Sequence, residues 1–196
     1  MSNYNAALLQ HIDIVPDFPE PGINFYDIQS LLKKPDVWAD IMDDIAQRVK
    51  DSNADIIIGL EARGFLIGTP VAERLNMPFG MVRKPGKLPG EVVSQTYQKE
   101  YGPPDEIQIQ ADLIQPGMRV AIVDDLMATG GTLKAAEDLV TKLGGEVVKS
   151  IVVLDLAELD GKAKLNHPFE AVSEAPLDPK NIPEIGIDNA PTSLSC

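Results

Sequence analysis

The stretch PDVWADIMDDIAQRVKDS sets Trp38, Ile41, Met42, Ile45 and Val49 on one face at helical spacing, with Pro35 or Asp36 at its start. That stripe is packing surface. ADIIIGL at 54–60 is instead a continuous apolar run rich in isoleucine and bounded by polar residues, which predicts a strand buried on both faces. Helical spacing returns in FLIGTPVAERLN (65–76) despite Pro70. FGMVR (79–83), RVAIVDD (119–125) and VVKSIVVLDL (147–156) predict further strands, and GTLKAAEDLVTKLG a helix closing at Gly144 and Gly145. Strands and helices alternating at this spacing predict an α/β fold, a central and mainly parallel sheet flanked by helices on both faces. Ligands on such sheets sit beyond the carboxyl ends of the strands.

Three regions break the rhythm. Residues 16–35 carry Pro16, Pro19, Pro21, Gly22 and Pro35 and read as an irregular arm. Residues 84–118 are dense in glycine and proline around two short alternating stretches, VVSQTY and EIQIQ, which pair as a hairpin in this reading. A connection of that length in a compact domain is more often functional than idle. The proline-rich tail, 166–196, reads as an extended wrap that is disordered at its end.

Composition narrows the class. With 196 residues, 44% of them apolar, the chain is one domain that buries a core without disulfides or a structural metal. Its single cysteine, Cys196, excludes an intrachain disulfide framework and every multi-cysteine metal pattern. The start lacks a basic segment followed by an apolar run, and no apolar stretch is long enough to cross a bilayer, so a cytoplasmic protein is expected. Thirty acidic against 17 basic residues, a net charge of −13, disfavour nucleic acid and anionic membrane as partners. Small anionic ligands answer to local donors and remain open.

Candidate chemistry concentrates in VAIVDDLMATGGT (120–132). A buried strand ends in Asp124 and Asp125, and a loop of small residues and hydroxyls leads into a helix. Gly130 and Gly131 let consecutive N–H groups converge, Thr129 and Thr132 add hydroxyls, and the helix N-terminus adds its positive end, which together make a phosphate cradle. The carboxylates suit either the hydroxyls of a sugar or the water around a magnesium ion. The bland alternative is a glycine turn with Thr132 as helix cap and two solvated aspartates. Neither a P-loop nor a GxGxxG fingerprint occurs. Arg63 follows the 54–60 strand across a tight loop, where its forked donors suit a pyrophosphate, and Arg83, Lys84 and Lys87 add cations in a chain short of them. Glu100, in isolation, is a solvated side chain in a polar loop.

The two acidic residues leading into ATGGT resemble the phosphoribosyl pyrophosphate (PRPP) signature of the type I phosphoribosyltransferases. GLEARGFLIG (59–68), RKPGKLPG (83–90), YQKEYG (97–102) and PDFPEPGINFYDI (16–28) stand in the order and spacing typical of the adenine phosphoribosyltransferases, a resemblance covering about residues 8–165. It implies an arm and base-binding hood at 1–34, a core at 35–165 with a flexible lid at 84–110, and a C-terminal extension at 166–196. It also implies transfer of ribose 5-phosphate from PRPP to adenine, giving AMP and pyrophosphate, with Mg2+ held mainly by PRPP and water, in a homodimer.

By the same resemblance, Glu61, Ala62, Arg63, Lys84, Lys87 and Tyr101 meet PRPP, and the Glu61–Ala62 peptide has an unusual, often cis, geometry. Asp124 and Asp125 hold the ribose, and Ala128, Thr129, Gly130, Gly131 and Thr132 hold the 5-phosphate. Phe25, Tyr26, Leu126 and Met127 line the adenine site, with Glu100 at purine N7. The catalytic set so implied is Glu100, Asp124, Asp125 and Arg63. Most relatives carry arginine at Tyr26, and GPPDEIQIQADLIQPG departs from the family after the lid glycine. Two rivals stay in view. A transferase for a 6-oxopurine would use a lysine near the domain end, for which Lys180 is the candidate, and a non-catalytic PRPP-binding regulator would need an added DNA-binding domain.

Overall fold

The computed structural model describes residues 5–98 and 103–182. In chain order, helix α1 (Ala6–Leu9) precedes a hairpin of β1 (Asp13–Pro16) and β2 (Asn24–Asp27), then α2 (Gln29–Leu32) and the long α3 (Pro35–Asp51). The core follows as β3 (Ile56–Leu60), α4 (Arg63–Leu75) and β4 (Phe79–Val82). Strands β5 (Val92–Tyr97) and β6 (Asp105–Gln110) form a separate antiparallel hairpin. Then come β7 (Arg119–Met127), α5 (Gly131–Lys142), β8 (Glu146–Asp155) and β9 (Phe169–Glu174).

Five strands pair in the order β4-β3-β7-β8-β9, all parallel. Because side chains alternate along a strand, each buried strand feeds two cores. Ile57, Ala121, Val123, Ile151 and Val153 face α3 and α4, where Ile41, Met42, Ile45 and Val49 of the predicted stripe are buried and Trp38 is half-buried. Ile56, Ile58, Val120, Ile122 and Val152 face α5 and the inner residues of the β5–β6 hairpin, Ile107 and Ile109. The chain leaves β3 for β4 on one side and reaches β7 on the other. The carboxyl ends of β3 and β7 therefore flank the switch in strand order where open α/β sheets bind ligands.

Two expectations change. The arm is not irregular: β1 and β2 pair in register from Asp13↔Asp27 to Pro16↔Asn24, and Pro19, Pro21 and Gly22 lie in the connection between them. The tail is not only a wrap, because its residues 169–174 add the fifth strand of the sheet. The predicted α3, α4 and α5 form within a few residues of their expected ends, with Pro70 inside α4. No helix is long and apolar enough to cross a membrane among the described residues.

Asp155, at the end of β8, is 6% exposed and stands in register with Glu174 of β9. Burial, and then the Glu174 carboxylate, push its carboxyl up to about 6. A carboxyl raised on folding stabilises the fold fully below its unfolded value and loses that contribution as pH rises through about 6. Asp155→Asn is therefore expected to stabilise the protein by about 2 kcal/mol at pH 8 and by nothing below about pH 4. Melting temperatures measured across that range check it, and an increment independent of pH would refute it.

Candidate active site

Strand β7 delivers the acidic pair. Asp124 and Asp125 both reach the start of α4 and line one cavity, and the Asp125 N–H donates to Asp124 Oδ1 at 2.9 Å. Asp125 is 4% exposed and faces Arg63, whose Nη1 lies 3.0 Å from Asp125 Oδ2. Burial pushes both carboxyls up. The Asp125 charge adds to the rise at Asp124, whereas Arg63 opposes it at Asp125. Arg63 begins α4 directly after the Glu61–Ala62 peptide, which is cis. Gly64 lets that helix start abut β7, since a Cβ there would lie 2.8 Å from Val123 O and 3.0 Å from Asp124 Oδ1.

Beyond β7 the chain turns into α5 through Ala128, Thr129 and Gly130, the last at φ +76°. Gly130 is the helix N-cap and no side chain caps the helix, so its first N–H groups have no side-chain partner. Thr132 is not that cap. Its Oγ1 donates instead to the Tyr97 hydroxyl at 3.1 Å. The loop is backed by Gly161, where a Cβ would stand 2.4 Å from Ala128 O and 2.8 Å from Gly130 N.

Two cavities meet here. One, of about 410 Å³, is lined by the whole loop from Met127 to Leu133 with Asp124, Leu126 and Tyr97. The other, of about 210 Å³, is lined by Glu61, Ala62, Arg63, Lys84 and Asp125, and shares Asp124, Leu126, Tyr97 and Thr132 with the first. The Lys84 ammonium is held by the Asp105 carboxylate and lies 3.5 Å from Tyr97 Oη, which donates to Asp105 Oδ2 at 3.3 Å. Burial works against that charge, but Asp105 and Tyr97 outweigh it and keep the amine above its ordinary value. The Arg83 guanidinium donates to Glu61 Oε1 at 2.9 Å and the Lys84 N–H to Oε2 at 2.8 Å, and the first of these chiefly holds that carboxyl low.

The structure thus gathers Glu61, Ala62, Arg63, Lys84, Asp124, Asp125, Leu126, Met127 and 128–132. Lys87 is exposed on the turn after Lys84, near enough to help depress the Glu61 carboxyl. Phe25 stands at the rim, its ring centroid 5.3 Å from Arg63 Cζ. For Tyr26 the correction concerns the side chain alone. Adjacent residues of β2 face opposite ways, so with Phe25 turned toward Arg63 the Tyr26 ring goes into the core at 2% exposure and lines neither cavity. Lys180 is exposed on a short turn at 179–181 and lines neither as well. Glu100 and Tyr101 lie outside the described residues. Sequence reasoning missed Tyr97, Asp105, Gly64 and Gly161. Only Tyr97, next to the lid motif, carried any local signal.

A family model described as a phosphoribosyl transferase domain matches residues 27–180, from the end of β2 to the last described turn. The fold is that of this class. An adenine phosphoribosyltransferase of Gluconobacter oxydans is 49% identical over 165 residues, 84% of this chain and 92% of that protein. One from Desulfitobacterium hafniense is 49% identical over 80% of this chain and 90% of its own length. The crystal structure of the enzyme from Thermoanaerobacter pseudethanolicus superposes with a TM-score of 0.82 at 42% identity, covering 85% of this chain and 96% of that one. A Saccharomyces cerevisiae adenine phosphoribosyltransferase, complexed with an imino-altritol bisphosphate and adenine, gives 0.81 at 38% identity over 85% of this chain and 97% of its own. The chain belongs to the adenine phosphoribosyltransferase family.

Proposed function

We infer that this chain transfers ribose 5-phosphate from PRPP to adenine N9, releasing pyrophosphate and forming AMP. One observation carries the reading: the uncapped start of α5 and the Arg63–Lys84 cluster line two adjoining cavities that share Asp124, Leu126, Tyr97 and Thr132. A ligand with a phosphate at each end and a ribose between them matches that spacing of charge.

In this reading residues 128–132 hold the 5-phosphate, so binding energy remote from the reacting bond positions the anomeric carbon. Arg63, Lys84 and Lys87 take the negative charge of the departing pyrophosphate as the carbon–oxygen bond breaks. Asp124 and Asp125 accept the ribose hydroxyls, and their charge favours the positive charge that develops on the sugar. Phe25, Leu126 and Met127 contact the base. Adenine N9 supplies the electron pair for the new bond as the bond to pyrophosphate breaks, and its proton passes to the departing pyrophosphate or solvent, while Glu100 hydrogen-bonds the base at N7 or lends it a proton there that is returned once the bond has formed. Tyr101 meets PRPP, and closure of the lid keeps water from the sugar cation.

Among the described residues no group of three or more His, Cys, Asp or Glu could hold a metal ion. Asp125 Oδ2 is buried, close to Arg63 but without hydrogen-bond alignment. That donor set fits a Mg2+ carried in by the diphosphate and its waters, with Asp124 and Asp125 as partners of the hydrated ion. Bound so, the ion neutralises charge on the leaving group. A homodimer belongs to the same reading.

The test supplies Mg2+, PRPP and, separately, adenine, hypoxanthine, guanine and xanthine, and follows AMP-type product and pyrophosphate. Turnover with adenine alone, abolished by chelation and sharply lowered in Glu100→Gln, is expected. Reaction with a 6-oxopurine instead would move the assignment to another base. Tight PRPP binding with no reacting base would make the protein a PRPP-responsive regulator.

A further inference from the structure

The two faces of β2 do different work. Phe25 turns outward to Arg63, with the Phe18 ring set edge-on against it at 5.1 Å between centroids. On the opposite face, Asn24 and Tyr26 reach two successive carbonyls of one segment: the buried Tyr26 hydroxyl donates to Pro176 O, and Asn24 Nδ2 donates to Leu177 O at 3.0 Å. That segment is anchored in turn. The Ala175 N–H donates to Asp155 O at the end of β8 at 2.8 Å, and the Leu177 N–H to Glu158 Oε1 at 2.9 Å. Glu158 lies in the same turn region, 157–164, as Gly161, whose backbone supports the loop at Ala128 and Gly130. Hydrogen bonds and packing therefore run from the back of β2, through residues 175–177, to the back of the phosphate loop.

We propose that residues 173–178 form a strap that sets the hairpin β1–β2 at a fixed distance from the phosphate loop, with the Tyr26 hydroxyl as its main tie. Tyr26 is a positioning residue: it faces away from the cavities and acts through the stance of Phe25 over Arg63. The proposal rests on reading this hairpin as the hood over the base. A buried hydroxyl on a buried carbonyl leaves that carbonyl unpaired once the hydroxyl is removed, so the tie is lost while the ring still fills the core. Affinity for the purine then falls, and affinity for the phosphoribosyl group does not.

The experiment measures binding of AMP and of ribose 5-phosphate to the full chain by calorimetry, in wild type, Tyr26→Phe and Asn24→Ala, beside steady-state kinetics. AMP is expected to weaken about ten-fold in Tyr26→Phe and less in Asn24→Ala. Ribose 5-phosphate binding, kcat and the KM for PRPP stay within about two-fold of wild type, a change below half a kcal/mol, and the KM for adenine rises. Asn24 is exposed at its amide and serves if Tyr26→Phe folds poorly. Equal weakening of both ligands, or no change in either variant, overturns the strap. So does a wild type that binds AMP no more tightly than ribose 5-phosphate. A wild type that prefers AMP yet makes none from adenine and PRPP overturns the catalytic reading and leaves the strap to be decided by the variants.

Discussion

Gly161→Ala is expected to raise the KM for PRPP by about a hundred-fold while the chain still folds. The added Cβ would stand 2.4 Å from Ala128 O and 2.8 Å from Gly130 N, and the atoms it meets are backbone rather than a flexible side chain. Relief requires the phosphate loop to move by about 1 Å, and a misplacement of that size costs on the order of 10²-fold where binding positions a reacting atom. Gly161 belongs to the short turn after β8 and contributes no side chain to the hydrophobic clusters. The loss should therefore appear in PRPP and ribose 5-phosphate affinity, with a drop in melting temperature of only a few degrees. A PRPP KM within about three-fold of wild type, less than 1 kcal/mol, would mean that the loop does not depend on its backing.

What the sequence made legible follows from how local each signal is. Ile56–Leu60 and Val120–Val123 are buried on both faces, and their continuous apolar runs say so without reference to a partner. The phosphate loop reads equally well because strand end, acidic pair, glycines and helix start are consecutive. β1 and β2 are four residues each, with a proline ending one and the turn formers between them, so they show no alternation long enough to count. A segment taken as irregular also loses the period-two rule that separates Phe25 from Tyr26. β9 reads FEAVSE, polar on an edge, and joins the sheet only because β8 offers it a partner. Gly161 and Asp105 reach the site from distant elements with nothing beside them in the chain to announce it, whereas Tyr97 opens the lid motif YQKEYG.

Arg63→Ala is expected to lower kcat/KM by about 10³-fold, the upper end of what one preorganised donor supplies to a developing negative charge. Arg63 lies against Phe25, at 5.3 Å from the ring, and faces Asp125 at 3.0 Å, while lining the smaller cavity. A lysine has the charge without the planar fork, so Arg63→Lys should recover only part of the loss. The electrostatics add a second readout. Burial pushes the Asp125 carboxyl up, and Arg63 is the leading influence against that rise. Without it the carboxyl climbs further, and the ionised form assigned to ribose binding is lost at a higher pH on acidification. The acid limb of the kcat/KM profile should therefore move to higher pH in Arg63→Ala and stay near its wild-type place in Arg63→Lys. A reduced rate with an unmoved acid limb would separate the two roles, leaving Arg63 as a partner of pyrophosphate and removing it from control of Asp125.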